Sequence, residues 1–258
     1  MIFDTHIHLN DEKILLNIDE YINNAMTKGV AKFLCVGFDL KSSELAVHLA
    51  NKYKNVYAAV GIIPTEHLQY NENSLILLKK IALSSNKVVA IGEIGLDYYW
   101  ENEENIKSKQ KKMFIDQINL ANELELPISI HCRDAYQDTF NILKEHDAIN
   151  KGIMHCYSGS LEMGKEFIKL GYYLAFGGTL TFKNNSKTRN VLENVPLNKV
   201  VFETDAPYLA PHPYRGRVNI PEYIVETINF AANVLNISKE KLETISFGNS
   251  LKVLKING

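Results

Sequence analysis

The chain has 258 residues, of which 46% are hydrophobic and 22% charged, and its formal net charge is −2. This is the composition of an ordinary globular protein, and the near-neutral charge excludes the broad basic surface of a high-affinity duplex-DNA binder. The sequence shows no basic segment followed by an apolar run at its start, and no uninterrupted apolar stretch of about 18 residues. We therefore expect neither a signal peptide nor a membrane span.

The three cysteines, Cys35, Cys132 and Cys156, form no CxxC pair. An odd number of cysteines without a secretion signal is typical of reduced thiols, so we expect a cytoplasmic protein. Cys132 and Cys156 each directly follow a histidine at the end of an apolar run. Alternation along a strand predicts that both thiols face away from those histidines and fill small spaces in the core.

Strand-like and helix-like patterns alternate along the whole chain. Apolar runs predict strands over residues 2–8, 30–36, 56–62, 88–93, 127–131, 152–155, 172–176 and 199–203. Helical spacing and helix-start residues predict helices over 15–28, 42–54 (with Ser42 or Ser43 as N-cap), 74–84, 104–124, 135–145, 161–170, 186–194, 221–235 and 238–254. Continuously apolar runs indicate parallel strands buried on both faces. Eight strand–helix units predict a single α/β domain over residues 1–258, a (β/α)8 TIM barrel, with an open doubly wound sheet as the alternative.

The first predicted strand carries two histidines, His6 and His8, two residues apart. This spacing sends both side chains to one face of a strand, where two imidazoles can bind one metal ion. A lone pair of this kind often arises by chance, but similar side chains follow later strands. These further candidates are Glu93, His131, His155 and Asp205.

In a TIM barrel the C-terminal ends of the strands meet at one face, where the active site lies. Each candidate alone has a structural explanation as a core histidine, a helix cap or a turn residue. Together, four histidines and two carboxylates from five strands would converge on one pocket, and burying them without a metal ion would be costly. Two divalent ions fit better than one because a tetrahedral ion needs only four ligands, and Glu93 is the simplest bridge between them.

Five ordered motifs and a short arginine-containing loop are spread over the chain, within a region that runs from residue 2 to about 249. They are Asp4-Thr-His-Ile-His8, Ile91-Gly-Glu-Ile-Gly-Leu-Asp97-Tyr-Tyr, His131-Cys-Arg-Asp-Ala135, His155-Cys-Tyr-Ser-Gly-Ser160, Glu203-Thr-Asp-Ala-Pro-Tyr-Leu-Ala-Pro211 and Arg215-Gly-Arg217. This set resembles the TatD-type deoxyribonucleases, a branch of the metal-dependent amidohydrolase superfamily.

The resemblance implies a TIM-barrel hydrolase that acts on DNA, single-stranded or with a free 3′ end, as a 3′-to-5′ exonuclease. It also implies two divalent ions (Mg²⁺, Mn²⁺ or Zn²⁺), which activate water and stabilise charge on a phosphate. Asp205 would accept the proton of the water, and Glu93 would be shared between the two ions. Asp205 and Glu93 are therefore the predicted catalytic residues. The near-neutral charge is compatible with a monomer. The implied ligand sets are His6, His8, Glu93 and Asp205 for one ion, and Glu93, His131 and His155 for the other.

Three arginines are candidates for contacts with phosphate, because guanidinium groups match phosphate oxygens in geometry. Arg133 lies two residues past His131, and its alternative is an ion pair with Asp134 or Glu203. Arg215 and Arg217 lie in the loop beyond the eighth strand, and their alternative is simple exposure to solvent.

Tyr208 is the fourth candidate for substrate binding. Aromatic rings in these loops can stack on unpaired bases without reading sequence, or can simply pack the loops. The other aromatic residues in these loops are Tyr98, Tyr99, Trp100 and Tyr157. Asp97 is expected to orient either a ligand histidine or its own loop.

Two positions depart from the family pattern. Ile63 occupies the place at the end of the third strand where the family commonly has histidine, and His67 is a candidate substitute for it. The family's Asn-Glu-Pro reads Asn219-Ile220-Pro221 here. Both changes spare the six predicted ligands and affect the positioning of substrate.

Other functions fit the same ligand set. A small-molecule amidohydrolase or phosphotriesterase is the main alternative, although many such enzymes use a carboxylated lysine where this chain has Glu93. A deacylase for D-aminoacyl-tRNA, or an RNA-trimming enzyme, would keep a nucleic-acid substrate. A barrel that serves only as a binding scaffold is the third possibility, and the complete ligand set argues against it.

Overall fold

The computed structural model describes residues 1–100 and 103–256, and its eight parallel strands pair in chain order to form one nearly closed barrel. This confirms the TIM barrel expected from the alternating pattern. The strands are β1 Ile2–Ile7, β2 Val30–Val36, β3 Val56–Val60, β4 Val88–Asp97, β5 Ile128–Arg133, β6 Gly152–Met154, β7 Tyr173–Phe176 and β8 Val200–Phe202.

Helices follow the strands and surround the barrel. They are α1 Glu12–Leu15, α2 Ile18–Thr27, α3 Leu40–Lys52, α4 Glu72–Leu83, α5 Glu104–Glu123, α6 Tyr136–Glu145, α7 Leu161–Lys169, α8 Ser186–Asn194, α9 Ile224–Leu235 and α10 Lys239–Val253. Within residues 1–100 and 103–256, no helix combines the length and the apolar character that crossing a membrane requires.

The strands are buried on both faces, which explains their continuously apolar sequences. Phe33 and Cys35 of β2 pack among the surrounding helices, whereas Leu34 and Val36 belong to a second cluster. This second cluster also contains Val253 and the following residue at the end of α10. Alternation along each strand thus directs one face towards the outer helices and the other towards the barrel interior, which α10 helps to cover.

The seam between β8 and β1 joins the last strand of the barrel to the first. The backbone N–H of Asp205 donates to the carbonyl oxygen of His6 at 2.9 Å. The buried carboxyl group of Asp4 accepts from the backbone N–H of Thr204 at 2.9 Å and from its hydroxyl at 2.6 Å. Burial raises the pKa of Asp4 to about 8, although the bonds from Thr204 act in the opposite direction. Side-chain bonds therefore reinforce the seam at the level of the candidate site.

Two expectations for the first helices were wrong. The predicted helix over 15–28 is divided into α1 and α2, with Leu16 and Asn17 between them. Ile14 and Ile18 are both buried across this break, so the apolar spacing continues and hides it. The second wrong expectation was the N-cap of helix α3, which is Asp39 and not Ser42 or Ser43. Asp39 and Ser42 bond reciprocally in a capping box.

Replacing Asp4 with alanine should destabilise the barrel seam. The change leaves the buried N–H of Thr204 without its partner, a loss of about 1–3 kcal/mol in the free energy of unfolding. Urea denaturation in the presence of a chelator measures this loss without a contribution from bound metal. Asp4→Asn, which keeps an acceptor oxygen, should lose less.

Thr27→Val is a matched control, since the exposed Thr27 hydroxyl bonds only within its own helix turn, to the carbonyl oxygen of Asn24. If Asp4→Ala unfolds at the same urea concentration as Thr27→Val, the seam does not depend on Asp4.

Candidate metal centre

The six predicted ligands lie together at the C-terminal ends of the strands. In the first group, the Nε2 atoms of His6 and His8 are 3.3 Å apart. Oε2 of Glu93 lies 3.5 Å from His6 Nε2 and 3.9 Å from His8 Nε2. Oδ1 of Asp205 lies 3.8 Å and 3.6 Å from the same two nitrogens. Four donor atoms, two from within β1 and β4 and two from the segments that follow β1 and β8, therefore face one another.

These separations match the chemistry of a divalent ion. Nitrogen and oxygen ligands about 2.1 Å from a tetrahedral ion lie about 3.4 Å from one another. The separations in this first group, 3.3 to 3.9 Å, are close to that value. Imidazole nitrogen and carboxylate oxygen are also the ligand types that zinc and manganese accept.

A second group uses the other oxygen of the same carboxylate. Oε1 of Glu93 lies 2.9 Å from Nδ1 of His131 and 3.8 Å from Nε2 of His155. One donor atom from each of these three residues lies within 4.8 Å of the others, as is also true of His6, His8 and Glu93. The two Glu93 oxygens thus face two groups of histidines, an arrangement that can hold two neighbouring ions.

The backbone around Glu93 is irregular, and two glycines make this possible. The pairing of β4 with β5 shifts register between Ile91 and Ile94, so Glu93 lies in a bulge within β4 rather than at its predicted end. A Cβ atom on Gly95, whose φ is +144°, would lie 2.0 Å from the carbonyl oxygen of His131. A Cβ on Gly92 would lie 2.6 Å from the side chain of Ser129. Only glycine permits the close approach that directs Glu93 into the site.

Partners outside the two groups orient the histidine rings. Nδ1 of His8 donates to the carbonyl oxygen of Val36 at 3.0 Å, which leaves Nε2 with its lone pair towards the site. Nε2 of His131 donates to Oδ2 of Asp97 at 2.9 Å. Asp97 therefore acts as the sequence predicted, by orienting a candidate ligand.

Glu203 is the functional residue that sequence reasoning missed. Its fully buried carboxylate lies 2.9 Å from Nδ1 of His155 and accepts from the backbone N–H of Cys156 at 2.8 Å. The spacing of Glu203 and Asp205 repeats that of His6 and His8, and this repeated spacing was the signal available in the sequence.

The protonation states fit a site that binds cations. Burial favours a neutral carboxyl, yet hydrogen bonds from His131 and His6 hold the pKa of Glu93 well below its usual value. Burial likewise disfavours charged imidazole, but Asp97 and Glu93 raise the pKa of His131 to about 9. Glu203 and Asp205 similarly outweigh burial and raise the pKa of His155 to about 10. Bound ions would replace the protons on these two rings as the neutralising positive charge.

The expectation for Cys156 was wrong. Its side chain lines a cavity together with His155 and Asp205, and its thiol lies within 4.8 Å of donor atoms of both. Strand β6 ends at Met154, and Cys156 has a positive φ of 43°, so the alternation of a strand does not extend to it. Burial and the nearby Glu203 raise the pKa of this thiol well above its usual value. Cys132 is buried in the core cluster as predicted, although it also contributes to the cavity wall.

The candidate substrate-binding residues separate into two sets. Arg133 and Arg215 line a cavity of about 520 Å³ that also contains His131, His155 and Asp205. The remaining two lie outside its lining: the ring of Tyr208 packs edge-on against His8 at 5.9 Å, and the Arg217 guanidinium lies 6.0 Å from the ring of Tyr214. The structure therefore brings two of the three arginines to the cavity.

His67 does not replace the missing family histidine. It lines a separate cavity of about 650 Å³ together with residues of α4 and α5, such as Leu75 and Met113. Ile63 occupies the end of the segment after β3, where its N–H donates to the carbonyl oxygen of Phe38 at 2.9 Å.

A parallel barrel that gathers histidines and carboxylates at the C-terminal ends of its strands is the architecture of a metal-dependent hydrolase. Residues 3–255 match the family model described as TatD related DNase. The chain therefore belongs to the TatD family of metal-dependent hydrolases.

Similar proteins agree with this assignment. The uncharacterized metal-dependent hydrolase YabD of Bacillus subtilis is 40% identical over 258 residues, which cover 100% of both chains. The uncharacterized metal-dependent hydrolase YcfH of Escherichia coli K12 is 31% identical, covering 98% of this chain and 96% of its own. The crystal structure of YJJV, a TatD homologue from Escherichia coli K12, superposes with a TM-score of 0.93 at 28% identity and covers 99% of this chain and 98% of that one.

Replacing Glu93 with alanine should reduce metal binding more than any other single change in the site, because both groups lose a ligand. Protein equilibrated with zinc and then desalted should retain about two ions per chain, and Glu93→Ala fewer than about one. Elemental analysis by mass spectrometry measures this ratio. Glu104→Ala removes an exposed carboxylate of α5 and should keep the native metal content. Retention of two ions by Glu93→Ala would remove Glu93 from the ligand set.

Proposed function

We propose that this protein is a phosphodiesterase that uses two divalent ions and shortens single-stranded DNA, or DNA with a free 3′ end, in the 3′-to-5′ direction. The observation that carries the proposal is the Glu93 carboxylate, whose two oxygens face separate groups of histidines. Paired ions a few ångströms apart are typical of enzymes that cleave phosphate esters.

The residues that would hold the ions are those described above: His6, His8 and Asp205 with Oε2 of Glu93, and His131 and His155 with Oε1. When bound, such ions supply a lowered pKa for water and positive charge beside the phosphate. The ions are Mg²⁺, Mn²⁺ or Zn²⁺, and imidazole ligands favour Mn²⁺ and Zn²⁺ over Mg²⁺.

Asp205 is the proposed proton acceptor. Its close contact with His8 and the nearby His155 outweigh burial and hold its pKa below the usual value, so the carboxylate is ionised at neutral pH. Oδ1 faces the histidines, and we assign the acceptance of a proton from water to Oδ2. The left-handed backbone at Asp205, with φ of 58°, turns the chain after β8 so that this carboxylate enters the site.

The cavity supplies the means to hold a nucleotide. Its volume of about 520 Å³ lies in the range of small-ligand sites, and two guanidinium groups lie in its wall. Arg133 and Arg215 would bind phosphate oxygens on either side of the bond that is cleaved. The chain as a whole has no excess of positive charge, which favours a short single-stranded end over a long duplex.

The remaining features of the proposal concern the whole protein. We propose that residues 1–258 act as a single domain and as a monomer. The three free thiols, Cys35, Cys132 and Cys156, favour the reducing environment of the cytoplasm.

The test is an assay of metal-free protein with Mg²⁺, Mn²⁺ or Zn²⁺ restored singly. The substrates are 5′-labelled single-stranded DNA, RNA of the same sequence, a small phosphodiester and an amide. A ladder of DNA products that shorten from the 3′ end is the expected result. Cleavage of RNA alone would support the RNA-trimming alternative, and cleavage of the amide alone would support a small-molecule amidohydrolase.

Replacing Asp205 with asparagine should lower kcat on DNA by about 10²- to 10⁴-fold, the range for loss of a general base. The amide keeps an oxygen for the ion but cannot accept the proton. Metal content measured on the same sample separates this effect from loss of the ion. Asp19→Asn changes an exposed carboxylate of α2 that bonds Tyr53 and should leave kcat unchanged. A fully active Asp205→Asn variant that retains its metal would exclude Asp205 as the base.

A further inference from the structure

We propose that Tyr99, Trp100 and Arg133 form a stacking platform, called here the aromatic rim, for an unpaired base of the DNA strand at the edge of the metal centre. This inference rests on the proposed function and specifies how that site would select an unpaired strand.

The two rings of the aromatic rim are exposed and meet edge to face. Tyr99 is 54% exposed and Trp100 is 67% exposed. Their ring centroids are 4.9 Å apart with an interplanar angle of 88°. The preceding Tyr98 behaves differently, since it is partly buried and its hydroxyl donates to Asp138 at 2.8 Å. Packing of the loop therefore accounts for Tyr98 and leaves the next two rings available to a ligand.

The aromatic rim adjoins the cavity through Arg133. The guanidinium carbon of Arg133 lies 3.7 Å from the ring centroid of Tyr99 and 5.4 Å from that of Trp100. The same arginine lines the cavity with His131, and it extends from the end of β5 beside Asp97 of β4. A guanidinium next to an exposed ring fits an anionic phosphate joined to a flat base.

One carboxylate fixes the aromatic rim and the metal centre relative to each other. Oδ1 of Asp97 accepts from the backbone N–H of Tyr99 at 3.0 Å and from that of Trp100 at 3.4 Å. Oδ2 of Asp97 lies 2.9 Å from Nε2 of His131. A base stacked on the rim would therefore stand at a fixed place relative to the candidate ligands.

The chemistry of the aromatic rim favours a nucleotide over other partners. An apolar peptide would bury the guanidinium of Arg133 without a counter-ion, which is costly. A basic partner would be repelled by Arg133 and by Arg215 in the cavity wall. A base attached to a phosphate can stack on one exposed ring while its phosphate pairs with the cation. In duplex DNA the base is already stacked in the helix, so the rim should select unpaired ends.

Trp100 is the only tryptophan in the chain, so intrinsic fluorescence reports on the aromatic rim directly. The metal-loaded protein is titrated with a phosphorothioate oligothymidylate, which resists hydrolysis, and with an abasic oligomer of the same length. We expect saturable quenching by the oligothymidylate and little change with the abasic oligomer, because both carry backbone charges and only one carries bases.

Kinetics give a second measurement. Trp100→Ala should lower the ratio of kcat/KM for single-stranded DNA to kcat/KM for a small phosphodiester without a base by about 10-fold, mainly through KM on DNA, since the base loses a ring on which it stacks. Trp100→Phe keeps an aromatic ring and should retain most of the native ratio. Leu68→Ala, which removes another exposed apolar side chain beside the separate cavity, should leave the ratio unchanged.

The possible outcomes separate a failure of the aromatic rim from a failure of the proposed activity. Equal quenching by both oligomers, or hydrolysis of DNA without quenching, would overturn the aromatic rim and leave the proposed phosphodiesterase intact. Selective quenching without DNA hydrolysis would support the rim and overturn the proposed activity. A change of fluorescence on dilution of the protein alone would identify the rim as a contact between copies and would also overturn the inference.

Discussion

The carboxylate of Glu93 is the group on which the candidate site depends. It is buried, it is held ionised by the surrounding imidazole rings, and its two oxygens serve two separate groups of donors. A buried negative charge of this kind is tolerated only where positive charge or a cation compensates it. The bulge in β4 and the glycines beside it bring this group into the site. The remaining ligands then need only reach the same point from their own strand ends.

Much of this arrangement could be predicted from the sequence because a parallel barrel brings equivalent positions of its strands to one end. His6, His131, His155 and Asp205 are far apart in sequence, yet each follows or ends an apolar run, so the topology alone gathers them. The features that failed prediction are departures from regular geometry. Alternation correctly paired His6 with His8 but placed Cys156 wrongly, because its strand had already ended. The division between α1 and α2 was hidden because buried residues keep a helical spacing across it.

Contacts made by the backbone could not be predicted from the sequence. The carbonyl oxygen of Val36 determines which nitrogen of His8 faces the site, and no residue type signals that role. Glu203 was visible as part of a motif, but its contact with His155 depends on where β6 ends relative to β8. Asp97 could be assigned to a histidine or to its loop, and the structure shows that it serves both. The residues that orient the histidines thus join different strands of the barrel, and such contacts cannot be predicted from one strand at a time.

The seam has a consequence for how the protein becomes active. Thr204 and Asp4, which bond across it, are separated by 200 positions in the chain. Contacts of such long range carry a large cost in loop-closure entropy, which must be overcome before the two residues can meet. His6 and His8 lie on one side of this seam and Asp205 on the other, so the first group of donors is incomplete until the barrel closes. A nascent or truncated chain that lacks the segment around Asp205 therefore cannot assemble the complete first group of donors.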